Sequence, residues 1–285
     1  MPLNTEVVGR ESAPVPLFLD PRWTMNYAAA VGDNNPRLYD TRGDLLPVHP
    51  LILASPEWEA TKLLHDHLGL TPEEAGRAVE VSHDTRVYRP LWAQESLDTV
   101  VRVVGVSEHK AGAWLTLQAD TSTVAGELVV TTVTGVVYRG VETNGAAGVP
   151  RPSGPAARVD GERASATLDL PVSACHVYSE CSRIYNALHT DIAVAEKAGL
   201  PGLILHGSAT LAMGLSEIAN GVLDGDITRV SRIYGEFRAM VVVPSTPTIG
   251  YAAPSAGSTS TAFEITTPEG GLALANGLVE HATTS

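Results

Sequence analysis

Ser182-Arg183-Ile184-Tyr185-Asn186-Ala187-Leu188-His189-Thr190-Asp191, followed by Leu203-Ile204-Leu205-His206-Gly207-Ser208, is the stretch from which the rest of the chain is read. A polar cluster of Asn186, His189 and Asp191 precedes a short helical run, 193–198. Gly199-Leu200-Pro201-Gly202 then spells a turn. An apolar run enters His206-Gly207 and a small-residue helix predicted from Ser208 to Ala219. Gly207 has no Cβ, so backbone there can approach a ligand closely. Free N–H groups at a helix start can hold a developing negative charge. One segment therefore carries an imidazole, His189, and an oxyanion-type donor, Gly207, with Ser208 beside it.

Working outward, a partial second copy stands in the first half. A helix predicted over 21–30 stops at Gly32, and Asp33-Asn34-Asn35-Pro36 follows. Taken alone, Asp33 there reads equally well as a turn or N-cap residue. His49, in Pro47-Val48-His49-Pro50, precedes an amphipathic helix predicted over 52–68. Period-two alternation then predicts strands over 79–88, 97–106, 113–123 and 128–138. Residues 140–162 are rich in Gly, Pro, Ala and Arg and read as a linker, least structured at 145–155. The second half repeats the order: a strand over 164–170, a helix over 173–185, the opening stretch and its helix. Strands over 227–243, 247–252, 258–266 and 271–280 complete it. A helix-then-meander order occurring twice implies an α+β class and one duplication.

Composition bounds the function. The chain has 285 residues, 44% hydrophobic, with a net charge of -13. That excludes global disorder and argues against nucleic acid or an anionic membrane as main partner. Arg86, Arg89, Arg229 and Arg232 are the local basic spots available to an anionic ligand. The two cysteines, Cys175 and Cys181, have no zinc-ligand spacing, and no glycine-rich phosphate loop appears. No metal and no cofactor is expected. Residues 1–10 show no leader pattern and no apolar run is membrane-length, so a soluble cytoplasmic protein is expected.

The opening stretch resembles the signature of the MaoC-like family, the R-specific enoyl-thioester hydratases and dehydratases of the hot-dog fold. That signature reads roughly S-G-D-x-N-P-L-H, then P-I-x-H-G. Ser182, Asn186, Leu188 and His189 match it, as do His206-Gly207, with 18 positions from His189 to Gly207. Ala187 replaces the Pro, and Ile184 stands where the family has its catalytic Asp. In the first half Gly32, Asp33, Asn35 and Pro36 match, but Leu38 and Tyr39 stand where the His would fall.

The resemblance implies two tandem hot-dog units, each a curled antiparallel sheet round a central helix, over 1–145 and 163–285 with a linker over 146–162. It implies a hydro-lyase acting on an acyl-CoA or acyl-carrier-protein thioester, and leaves a homodimer open. His189 would be the acid/base, Gly207 the oxyanion donor, and Asn186 the holder of the loop, as Asn35 is in the first copy. His206 would fix the turn. Three readings of the missing carboxylate stand side by side. Asp33 reaches His189 and completes one site; or Tyr185, Asp191 or a substrate group stands in; or the signature is a relic and the protein binds thioesters silently. An altered chemistry on the same fold, isomerisation or cyclisation, is a further alternative.

Overall fold

The alternation read from 97 onward folds as a strand that buries every second residue, Leu97, Thr99, Val101 and Val103. A computed structural model describes residues 2–159, 163–252 and 257–282. The chain forms two compact units. The first comprises Met1–Phe18, Pro56–Tyr88 and Ser96–Gly154; the second comprises Leu19–Ser55, Arg89–Glu95 and Pro155–Ser285. These units do not coincide with the sequence halves, because the segment carrying Asp33, Asn35 and His49 packs with the second.

In the first unit, β1 (Val15–Phe18), β3 (Ser96–His109), β4 (Gly112–Thr123), β5 (Leu128–Arg139) and β2 (Ala78–Val87) lie side by side in that order, all antiparallel. Leu64 and Leu68, on and just beyond α2 (Ala54–His65), pack with Val101, Val103, Leu115 and Tyr138 into its core. The predicted helix over 52–68 is thus shorter. A 3-10 turn, Pro50–Leu53, precedes it, and α3 (Pro72–Ala75), closed by a Thr71–Glu74 capping box, follows. The expected linker is also partly ordered. Ala147–Gly148 forms β6 on β3, with Gly148 opposite Gly105. A Cβ on Gly105 would lie 2.5 Å from the Val149 carbonyl, and one on Gly148 would lie 2.1 Å from that of Val104. Only a glycine pair lets the backbones meet there. The last residues of the expected linker, 160–162, lie outside the described residues.

The second unit holds α1 (Pro21–Ala30), β7 (Arg163–Thr167), α4 (Ala174–Ser182), α5 (Ala187–Thr190), α6 (Ile192–Lys197) and α7 (Gly207–Val222). Its sheet runs β8 (Val230–Phe237), β11 (Leu272–His281), β10 (Ser260–Thr266), β9 (Thr248–Ala252), β7, again antiparallel. The predicted strand over 227–243 starts with a 3-10 turn, Ile227–Arg229, and ends at Phe237. Beyond it, Val241 and Val243 pair with Leu205 and Leu203. No helix among the described residues is long and apolar enough to cross a membrane.

Small residues let α7 lie against strands. It is buried over most of its length, and a Cβ on Gly214 would meet the Phe263 ring at 2.5 Å. Gly→Ala in a helix ordinarily gains about 0.5–1 kcal/mol. Here overpacking, typically about 1–3 kcal/mol, outweighs that gain. Gly214→Ala is therefore predicted to lower stability in urea denaturation despite its better helix propensity.

Candidate active site

The opening stretch is held from its N-terminal side by a strained turn. α4 ends at Arg183, a non-glycine residue at φ 59°, a conformation that costs an L-residue roughly 1–2 kcal/mol. The Arg183 guanidinium lies 4.0 Å from the centroid of the Trp23 indole on α1. The indole N–H donates to the Cys181 carbonyl at 2.7 Å. A cation–π contact of about 0.5–2 kcal/mol offsets the strain of the turn. Neither residue was singled out in the sequence, because only the fold brings α1 against α4.

Past the turn, the side chain of Asn186 accepts the Leu188 N–H at 3.1 Å and its carbonyl accepts the His189 N–H at 3.0 Å. Asn186 thus caps α5, the turn bearing His189. Asp191 caps α6 in the same manner, accepting from Ala193 N at 2.9 Å and Val194 N at 3.3 Å. Tyr185 is 57% exposed. With Asn186, His176, Ser179 and Thr190 it lines a cleft of about 450 Å³ beside the loop.

Nδ1 of His189 donates to the Ile204 carbonyl at 2.8 Å. A carbonyl can only accept, so Nδ1 carries the proton and Nε2 is left with its lone pair. Burial pushes the imidazole below its ordinary pKa, partly opposed by that hydrogen bond. His206 stacks on His189 at 3.7 Å between centroids and 25° between planes. His206 is itself buried, and among the described residues its ring nitrogens meet no partner at hydrogen-bonding geometry. Burial, with His189 alongside, holds it well below the usual histidine range, against a raising influence from the Ile184 carbonyl. The expected turn-fixing role of His206 takes the form of stacking and of its place as N-cap residue of α7. Its side chain does not cap the helix, so the first N–H groups of α7, from Gly207, are not taken up by it. A Cβ on Gly207 would touch the Phe237 ring at 3.3 Å. The Ser208 hydroxyl accepts from the Tyr178 hydroxyl at 2.9 Å.

Ile184 is buried, and its carbonyl accepts from the Ser179 hydroxyl at 2.6 Å. Asp33 lies in the same unit but makes no hydrogen bond to His189 among the described residues. Its Oδ1 accepts from Asn35 N at 3.0 Å and from Asn220 Nδ2 at 3.1 Å; its Oδ2, buried, has no partner among the described residues. Ring contacts run from His49, which senses the charge of Asp33, through Tyr27, Tyr178 and His206 to His189. Their centroid steps are 5.4, 6.0, 5.0 and 3.7 Å.

The first copy holds α7 instead. Asn35 Nδ2 donates to the Gly225 carbonyl at 2.5 Å, Asp33 takes Asn220 of α7, and His49 Nε2 donates to the Ala212 carbonyl at 3.3 Å. Nδ1 of His49 accepts from Leu51 N at 3.3 Å, so this imidazole is a neutral Nε2–H tautomer with both nitrogens used. The arginines read as anion spots are largely engaged. Arg89 pairs with Glu95 at 2.7 Å and Arg232 with Glu280 at 3.0 Å, and Arg229 donates to the Ala282 and Leu223 carbonyls. Arg86 is exposed on β2.

Residues 161–251, which contain the opening stretch entire, match the model of the MaoC like domain. The chain carries a MaoC-like domain. Enoyl-CoA hydratase 2, a peroxisomal protein of Arabidopsis thaliana, is 30% identical over 169 residues, covering 54% of this chain and 53% of that protein. The chain thus spans about half the length of that relative. A MaoC-like dehydratase from Phytophthora capsici superposes with a TM-score of 0.82 at 17% identity, covering 98% of each chain. A Mycobacterium tuberculosis protein described as a double hotdog fold superposes with a TM-score of 0.67 at 16% identity, covering 97% and 96%. The fold is the double hot-dog.

Outside the matched residues, His49 carries a pH signature. Burial lowers its pKa from 6.5 to about 4. As pH falls, the unfolded chain takes up this proton first, so stability present above pH 6.5 is lost between there and about pH 4. The loss approaches about 3 kcal/mol, and His189 and His206 act in the same direction. Asn at position 49 retains an acceptor for Leu51 N without titrating. His49→Asn is predicted to shrink the acid limb in urea denaturation measured across this pH range.

Proposed function

We propose that the protein is a hydro-lyase that adds water across the double bond of an enoyl thioester, or removes it from a 3-hydroxyacyl thioester. The observation that carries this reading is the hydrogen bond from His189 Nδ1 to the Ile204 carbonyl, 2.8 Å, beside the uncapped start of α7. A neutral imidazole with a fixed tautomer is a ready base at Nε2. Backbone N–H groups at a helix start suit the oxygen that gains charge. The enoyl-CoA hydratase named above supports the reaction class.

In the forward direction Nε2 of His189 takes a proton from water as the water oxygen bonds to Cβ. The π electrons pass to the thioester oxygen, held as an enolate by Gly207 N–H. The imidazolium then returns its proton to Cα, and the sum is the addition of H and OH. Asn186 keeps His189 in place by capping α5. Ser208, bonded to Tyr178, braces the mouth of α7, and Tyr185 borders the approach. Asp191 and Asp33 act on the loops: the one caps α6, the other ties the first copy to Asn220.

His189→Ala is predicted to lower kcat for hydration of an enoyl-CoA by about 10²–10⁴, with the folded state retained in thermal melts. Asp33→Asn weakens a buried loop contact, so it is predicted to lower Tm while kcat stays near wild type. A neutral His189→Ala would exclude the mechanism. An equal loss of kcat in Asp33→Asn, at unchanged Tm, would return the carboxylate to the reaction. Because the His189 base must be unprotonated and its pKa is depressed, kcat/KM is predicted flat at neutral pH, falling only below the ordinary histidine range.

A further inference from the structure

The first copy of the signature shows what the register of Ile184 does. Asp33 stands two positions before Asn35, as Ile184 stands two before Asn186. Asn35 and Asn186 are each an N-cap residue whose side chain accepts a backbone N–H two positions on, Arg37 N and Leu188 N. His49 and His206 are each the N-cap residue of the helical segment that follows. In the first copy this register sets a carboxylate within electrostatic reach of the histidine, His49. In the second it sets a buried isoleucine whose carbonyl faces His206. Between the two copies this register has therefore exchanged a carboxylate for a hydrocarbon side chain, and Ile184 offers no group to hold a water or carry a proton beside the stacked His206 and His189.

That exchange does not weigh equally on all thioester chemistry. Adding water requires that the water be oriented as well as deprotonated. An isoleucine can do neither, and a missing positioned acid/base costs about 10²–10⁴ in rate. Moving a double bond requires one base and an oxyanion donor, and no water. We propose that this site also isomerises β,γ-unsaturated acyl thioesters to their α,β-unsaturated isomers, with His189 carrying a single proton from Cα to Cγ. The proposal rests on the reading of His189 and Gly207 as a thioester site.

The atoms balance without a co-reactant. Nε2 takes the Cα proton, acidified by the thioester and the neighbouring alkene. The electron pair spreads over a dienolate whose oxygen lies at Gly207 N–H. The imidazolium delivers the same proton to Cγ, the β,γ bond becomes single and the α,β bond double. The imidazole ends neutral, as it began, with its tautomer kept by the Ile204 carbonyl. A lone base that must alternate between taking and giving one proton is suited by the depressed basicity that burial gives His189, since its conjugate acid is then a ready donor.

The test offers β,γ-enoyl and α,β-enoyl thioesters, each as CoA and as carrier-protein conjugates, to wild type, His189→Ala and Ile184→Asp. Conjugation is followed by absorbance and hydration by product mass. Wild type is expected to conjugate the β,γ isomers faster than it hydrates the α,β isomers, and His189→Ala to lose about 10²–10⁴ in both. Ile184→Asp is expected to raise the ratio of hydration to isomerisation about tenfold or more. If the aspartate variant melts unfolded, wild type and His189→Ala decide alone. Hydration without isomerisation in wild type overturns this inference and leaves the hydro-lyase reading standing. Neither reaction, on either carrier, overturns both. Isomerisation that survives His189→Ala overturns the assignment of the proton carrier.

Discussion

One hydrogen bond organises the site: His189 Nδ1 to the Ile204 carbonyl. It fixes the proton on one ring nitrogen and leaves the other as a base. Its acceptor is held in turn. Leu205 donates to Val241 and Val243 to Leu203, so the strip carrying Ile204 is pinned on both sides. The Cys175 thiol donates to the same carbonyl at 3.3 Å, which gives the buried cysteine a structural place. The stacked His206 fixes the plane of the ring. In an interior of low dielectric such a bond is stronger than in water, and an unmatched proton is costlier. That is why burial can keep this imidazole neutral yet positioned.

The duplicated signature has divided its work. The first copy keeps its acid and asparagine but has Leu38 in place of the loop imidazole. Its contacts go to α7 and the turn beyond: Ala212, Asn220 and Gly225. These are the contacts of a brace. The second copy keeps the imidazole and the His-Gly pair at the start of the same helix, and loses the acid. Both copies therefore converge on α7, one along its body and C-terminal end, the other at its N-terminus. The small residues of that helix allow the sheet to close against it, as the Gly214–Phe263 approach shows.

Most of the fold was legible because alternation and capping are local. The strands from β2 to β5 and from β9 to β11 begin and end within about three residues of their expected limits. What was not legible depended on distant partners. The linker was read as irregular from its glycines, yet Gly148 is there to meet Gly105. The long second-half strand ends at Phe237 because Val241 and Val243 are needed by Leu203–Leu205. In the site, Asn186 as loop holder and the His-Gly pair were readable from spacing. The stacking of His206 on His189 was not, since spacing brings the two residues into one motif without orienting their rings, and the Trp23–Arg183 clamp was not, since it joins segments that sequence spacing does not relate. Asp33 was read both as a candidate carboxylate, by matching a motif, and as a turn residue; its bond to Asn35 N is that local turn, whereas its bond to Asn220 follows from tertiary packing.

The central claim is a protonation state, and it can be observed directly. Nitrogen NMR of protein labelled in its histidine rings, with the His189 signals assigned by comparison with His189→Gln, reports the tautomer without any substrate. The account predicts a neutral His189 at pH 7, protonated on Nδ1 and bare on Nε2, persisting to below the ordinary histidine pKa. An imidazolium at pH 7, or a neutral ring protonated on Nε2, would contradict it.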